Sequence, residues 1–407
     1  MTGTAVITGL GVAAPNGLGS EAYWNATVKG VSGIARITRY DPAGYPSPLA
    51  GEVLDFTPSE HLSGRLLPQT DWMTQLALAA SDWALADAGV DPAQLPEFGM
   101  GVVTASASGG FEFAQKELQK LWSQGPEYVS AYQSFAWFYA VNTGQISIRH
   151  GMRGPSGVLV TDQAGGLDVL GHARRHIRKG VPLVMTGGVD ASLSPWGLVS
   201  QNTTGALTRN ADPERAYAPF DAAADGYVPG EGGAILVMED EAAARERGAR
   251  VYGSLAGYGA TFDPAPDSGR EPGLRRAVEL ALADADATPA EIDVVFADAA
   301  GLRESDRIEA EALASVFGAR AVPVTAPKTM TGRLYSGAGS LDAAAALLAM
   351  RDSVIPPTLH VVDQAADCPL DLVRETARAL PVRTALVIAR GHGGFNAAVV
   401  LKAPESA

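Results

Sequence analysis

The chain has a single cysteine, Cys368, among its 407 residues. It can close no internal disulfide, which excludes a fold stapled for an oxidising compartment. Cys368 precedes Pro369 in a stretch that reads as a polar loop, away from any strand-to-helix turn, so it is an ordinary thiol rather than a nucleophile. Basic residues are also scarce: 31 Lys and Arg against 45 Asp and Glu leave a formal charge of −14. That balance excludes nucleic acid and an anionic membrane surface as main partners. No apolar run reaches the roughly 20 residues of a membrane-spanning helix. No basic residue precedes Lys29, so no signal peptide is expected and a reducing cytoplasm is the expected location. His172 and His176 stand four apart, as metal ligands can, but neither a third ligand nor a catalytic Glu accompanies them, so no metal is expected. Aromatics make up only 7% of the chain. They concentrate in residues 132–141, with Phe135, Trp137, Phe138 and Tyr139, a density that suits either a core or a subunit interface.

What the chain has in quantity is small and apolar residues, 46 glycines and 46% hydrophobic residues, which fits tightly packed α/β units. Its length exceeds what one hydrophobic core accommodates, so two lobes are expected. Residues 158–160 form an apolar strand that stops at Thr161-Asp162-Gln163. Ala164-Gly165-Gly166 then lead into a helix with Leu167, Leu170, Ala173 and Ile177 on one face. The first N–H groups of such a helix lack partners, and small residues would let another molecule approach them. The geometry suits a nucleophile at Gln163, yet a primary amide has neither an ionisable proton near neutral pH nor a lone pair free to attack a carbonyl.

Around this junction the pattern is a strand at 5–8 followed by a Gly-rich loop through Gly9-Leu10-Gly11, then a helix beginning at Glu21. The pair Gly9 and Gly11 reads as a turn rather than a dinucleotide fingerprint, because Ala14 stands where the third glycine is needed. A helix over 76–88 ends at Gly89, a natural C-cap. A strand at 101–104 and a helix over 111–122 follow. Residues 183–186 form a strand with a turn at Gly187-Gly188-Val189-Asp190. The series restarts near Val251 with helices over 273–285, 304–317 and 337–350 and strands at 294–297, 323–325, 385–388 and 397–401. The chain therefore divides into two α/β halves, residues 1–250 and 251–407.

Four glycine-rich blocks carry a resemblance: VITGLGVAAPNG, the block Thr161 through Asp168, PFDAAADGYVPGEGGAILVMED, and PKTMTGRLYSGAGSLDAAAALLAM. In this order they resemble the β-ketoacyl synthases over nearly the whole length, and within them the chain length factors, or ketosynthase β subunits, of bacterial type II aromatic polyketide synthases. The resemblance implies an α/β thiolase fold, with duplicated βαβαβαββ halves in a five-layered α-β-α-β-α arrangement. It also implies a site, since working members carry a cysteine, two histidines and a nearby lysine. Here the cysteine position is Gln163. The first histidine position is Asp298, in Ala297-Asp298-Ala299. The second is Arg333, in the block that begins at Lys328, and Lys328 alone remains.

A chain without a thiolate forms no acyl-enzyme. An anionic Asp298 repels a developing enolate, and Arg333 is unsuited to proton transfer, although it could pair with Asp298. The resemblance thus implies a non-condensing subunit, with no cofactor, that forms a heterodimer with a catalytic ketosynthase α subunit and meets an acyl carrier protein bearing malonyl and polyketide chains. In this reading it sets poly-β-ketone chain length through a gate of Phe111, Ala114, Leu118 and Trp196. Large side chains there stop the chain early, and the modest Ala114 and Leu118 imply a product longer than the shortest octaketides. Strand 158–160 would pair with the partner and residues 132–141 would lie against it. Two alternatives are a malonyl decarboxylase that primes the pathway through the Gln163 amide and a purely structural partner. The cluster Arg174, Arg175, His176, Arg178 and Lys179 reads as a solvated helix C-terminus, or else as a docking patch for an acidic carrier protein.

Overall fold

A computed structural model describes residues 3–404. The elements that position the site run, in the first half, β1 (Ala5–Ala14), α1 (Trp72–Ala88), β2 (Met100–Ala105), α2 (Phe111–Ser123), α3 (Val141–His150), β3 (Ser156–Leu159), α4 (Gly165–Arg178), β4 (Leu183–Asp190), α5 (Pro195–Asn202) and β5 (Gly232–Asp240). The second half supplies β6 (Gly253–Phe262), α6 (Leu274–Asp284), β7 (Val294–Phe296), α7 (Arg303–Phe317), β8 (Pro323–Thr325), α8 (Ser336–Asp352), β9 (Asp371–Leu372), β10 (Thr384–Gly391) and β11 (Phe395–Lys402).

Strand order shows the duplication. The first half reads β3-β2-β4-β5-β1 and the second β8-β7-β10-β11-β6. In each, three parallel strands are followed by two antiparallel pairings. A short antiparallel contact between Val6-Ile7 and Ser254-Gly253 joins the two. Helices α4 and α8 lie between the sheets, touching strands of both, while α1 and α3 cover one outer face and α6 the other. This is the five-layered thiolase arrangement. Helix α8 has no polar face, and every residue from Ser336 to Met350 is buried, as a helix in the middle layer requires.

The glycines sit where layers touch. Gly9 and Gly11 belong to β1, not to a loop, because a Cβ on either would collide with the carbonyl oxygen of Ala84 or Ala80 in α1. Gly257 and Gly259 in β6 meet Ala281 and Ala277 of α6 in the same way. Close packing of a helix on a strand explains both pairs, and both halves use it. Gly187-Gly188-Val189-Asp190 likewise continues β4 instead of turning, paired residue by residue with β5. At Gly165 and Gly166 a Cβ would strike Ser336, Gly339 or Ser340 of α8. The small residues at the head of α4 therefore admit a neighbouring helix, not a ligand.

Three further expectations change. Strand 158–160 is β3, which runs Ser156–Leu159 and ends the sheet, with β2 on one side and no strand on the other among the described residues. At the opposite end, β9 covers β8. Cys368 is not in a polar environment but fully buried in the core of the second half, and burial pushes its thiol up to about 11, so it stays protonated and inert. Arg174 is buried too, donating to the carbonyls of Leu255 and Ala256 and pairing with Asp284. It ties α4 to the second half and leaves the surface cluster.

Candidate functional site

Gln163, Asp298 and Arg333 follow the C-terminal ends of parallel strands β3, β7 and β8, where ligands collect in open α/β sheets. They line one cavity of about 350 Å³, together with Tyr227, Tyr335 and Arg390. Gln163 lies on a single 3-10 turn, Asp162–Ala164, that leads into α4. Asp162 takes a left-handed φ of 52°, and two partners hold it there. Ser336 Oγ donates to its carbonyl at 2.9 Å, and its carboxylate accepts the N–H of His392 at 2.6 Å. The turn aims Gln163 inward, 5% exposed, with its Oε1 buried and unpartnered.

Across the cavity Asp298, 2% exposed, and Arg333, 5% exposed, form a closed ion pair. Arg333 Nη1 and Nη2 donate to the two carboxylate oxygens at 3.1 and 3.0 Å. The guanidinium also donates to the Asp298 and Arg390 carbonyls, at 2.8 and 3.2 Å, and stands over the Tyr227 ring at 5.4 Å. Asp298 accepts a further N–H from Arg390 at 2.8 Å. Burial by itself would raise the Asp298 pKa, but the charges of Arg333 and Lys328 and these hydrogen bonds outweigh it and hold the carboxyl below its ordinary value. The pairing with Arg333 expected from the sequence is formed, so Asp298 does not face a substrate as a free anion. In the structure its charge is spent on Arg333.

Lys328 lies beneath the cavity, outside its lining. Its Nζ donates to Ala297 O at 2.6 Å and pairs with Asp342 at 2.7 Å. Asp342 and the second support, Glu309, were not among the candidates from sequence. Glu309 accepts the N–H groups of Asp298 and Ala299 at 2.7 and 2.9 Å, and so holds Ala299 at φ 52°. Burial and the nearby Asp298 push Glu309 up to about 8. A signal for each exists in the sequence: Asp342 is the one charge between Ser336 and Met350 of an alanine-rich helix, and Glu309 shares a helical face with Leu313 at i+4.

The gate residues form a separate group. Phe111 at the start of α2 packs on Trp196 of α5 with ring centroids 4.8 Å apart. Ala114, buried, and Leu118, half-buried, continue the same α2 face. None of these four residues expected to form the gate lines the Gln163 cavity. The aromatic stretch is not core: Trp137, Phe138 and Tyr139 are exposed. Phe135, Phe138, Val141 and Ile148 line an apolar groove of about 770 Å³, and Ile148 is 76% exposed. That groove runs along α3, which packs against the uncovered strand β3. His172 and His176 stack with centroids 5.0 Å apart, and the described residues contain no group of three His, Cys, Asp or Glu placed to hold a metal.

Fold and site together describe a five-layered α/β body with a buried ion pair beside an amide side chain in one cavity. Family models for the β-ketoacyl synthase N-terminal and C-terminal domains match residues 4–243 and 252–362. The chain belongs to the β-ketoacyl synthase family. It is 61% identical to the tetracenomycin polyketide synthase ketoacyl synthase beta subunit of Streptomyces glaucescens over 98% of each chain. Among solved structures it superposes on the ishigamide ketosynthase/chain length factor with a TM-score of 0.92 at 30% identity, covering 100% of both chains. A second similar structure is a type II polyketide synthase acyl-carrier protein in complex with its ketosynthase bound to the hexaketide, with a TM-score of 0.88 at 26% identity, covering 99% of this chain and 100% of that one.

Proposed function

We propose that this chain is the non-condensing β subunit of a type II polyketide synthase: it pairs with a catalytic ketosynthase α subunit and sets the length of the poly-β-ketone made from carrier-protein-bound malonyl units. The observation that carries the reading is the buried Asp298–Arg333 pair beside Gln163. It fills the reaction centre with groups that neither attack a thioester nor shuttle a proton. What the chain contributes therefore lies on its outer surfaces. Strand β3 has an uncovered edge, which a partner strand can extend into one sheet, and the apolar groove beside it suits the same contact. The similarity to a ketoacyl synthase beta subunit and to a ketosynthase/chain length factor supports this partner, and the carrier-protein complex supports the other.

Phe111, Ala114, Leu118 and Trp196 are the proposed gate, closing on a polyketide that extends from the partner's cysteine. Ala114→Phe, co-expressed with the α subunit and carrier protein, should shorten the product by at least one ketide unit in mass spectra. An unchanged length would remove Ala114 from the gate. The division into residues 1–250 and 251–407 falls between β5 and β6, and the limits of the two family matches support it. No helix among the described residues is long and apolar enough to cross a membrane, and a cytoplasmic location fits the single, inert thiol.

A second role has one specific observation in its favour. Gln163 is buried at the wall of the same cavity as the Asp298–Arg333 pair. Because Arg333 neutralises Asp298, an amide N–H there could donate to a developing enolate without opposition from a free carboxylate. Such a donor would support priming by malonyl decarboxylation.

A further inference from the structure

The gate as described depends on side-chain bulk, yet its two helices are also fastened by hydrogen bonds that bulk does not describe. Helix α2 begins after Gly110 and has no side-chain cap of its own. Its cap comes from outside. Asp71, 1% exposed, caps α1 by accepting the Met73 N–H on Oδ1 at 2.8 Å, and its Oδ2 accepts the Phe113 N–H of α2, also at 2.8 Å. One carboxylate thus serves the first turns of two helices. Gln115 repeats the device one step further. Its Oε1 accepts the N–H of Trp196 in the first turn of α5 at 2.8 Å. Ser194, the local cap of α5, takes the Gly197 N–H and leaves that of Trp196 to Gln115. The tether lies one helical turn from Phe111, whose ring meets the Trp196 ring.

We propose that Gln115, with Asp71 behind it, is a positioning residue for chain-length selection: it holds α5 and Trp196 against α2 and fixes the opening between them without touching the growing chain. This rests on the gate reading above and makes a different prediction from it. A change of bulk moves the stopping point, whereas loss of the tether lets α5 shift and spreads the product over neighbouring lengths.

The test uses the intact complex of this chain with its ketosynthase partner, supplied with malonyl-loaded carrier protein, with products sized by mass spectrometry. Gln115→Leu keeps much of the volume and removes the acceptor, while Gln115→Glu keeps an acceptor oxygen. In Gln115→Leu the share of neighbouring lengths should rise about five-fold, the ratio that one hydrogen bond of ordinary net strength controls. Gln115→Glu should retain the wild-type distribution, and Ala114→Phe should move to one shorter length. If Gln115→Leu matches wild type while Ala114→Phe shifts, the tether is refuted and the gate stands. If neither changes, both fail. Equal broadening in Leu and Glu would assign the effect to shape and overturn the hydrogen bond. Asp71→Asn gives an independent arm, since it keeps the oxygen that caps α1 but loses the acceptor facing Phe113. Broadening is expected there, and a wild-type distribution counts against the shared cap.

Discussion

Asp298→Ala is the perturbation that most directly probes the buried ion pair of the Gln163 cavity. It leaves the Arg333 guanidinium almost fully buried with two backbone carbonyls and the Tyr227 face as its remaining partners. The two hydrogen bonds to the carboxylate disappear. Removing one partner of a buried ion pair costs about 3 to 5 kcal/mol, because the other charge stays desolvated. At about 2.1 cal/mol/K of unfolding entropy per residue, that loss lowers the Tm of this 407-residue chain by about 4 to 6 °C. Arg333→Met should cost a similar amount, since it strands Asp298. The double variant should cost less than the two single losses added together, because it removes both charges at once. Thermal denaturation of the four proteins, followed by circular dichroism, measures this cycle. If Asp298→Ala melted within a degree of wild type, or the double variant lost the sum of both singles, the pair would not be the coupled, buried unit described here.

Two further outcomes bear on the same cavity. Glu309 has its pKa raised from 4.5 to about 8, so between those values the folded state holds a proton that the unfolded state releases. Its contribution to stability is therefore lost as pH rises from about 4.5 to 8 and is flat above. Relative to Glu309→Gln, the wild-type Tm should fall across that range, and parallel curves would contradict the assignment. Gln163→Ala in the intact complex should slow malonyl decarboxylation by about 100-fold, the lower range for loss of one oxyanion donor. An unchanged rate of CO2 release would leave Gln163 as a filler of the cavity and nothing more.

The class of fold, the duplicated pattern and the residue types at positions 163, 298 and 333 are legible in the sequence, because these depend on order and residue type. Gln163 in place of a nucleophile is legible without coordinates, since an amide has the same chemistry wherever it lies. The amphipathic helices are legible for a similar reason: their periodicity is local. What only tertiary structure decided is where each group spends its interactions. Gly9, Gly11, Gly165 and Gly166 look like turns or a ligand cradle in one dimension, but the helices that need their missing Cβ atoms are distant in sequence. Asp298 and Arg333 are two charges able to pair, and only the fold brings them together across 35 positions. Arg174 reads as surface charge until Asp284 and two carbonyls of the second half surround it. Residues 158–160 read as an apolar strand, and only the strand order puts it at an edge. Composition fixes what a side chain can do, while long-range packing fixes its partner, and at this reaction centre the partners convert a set of charged residues into a closed support.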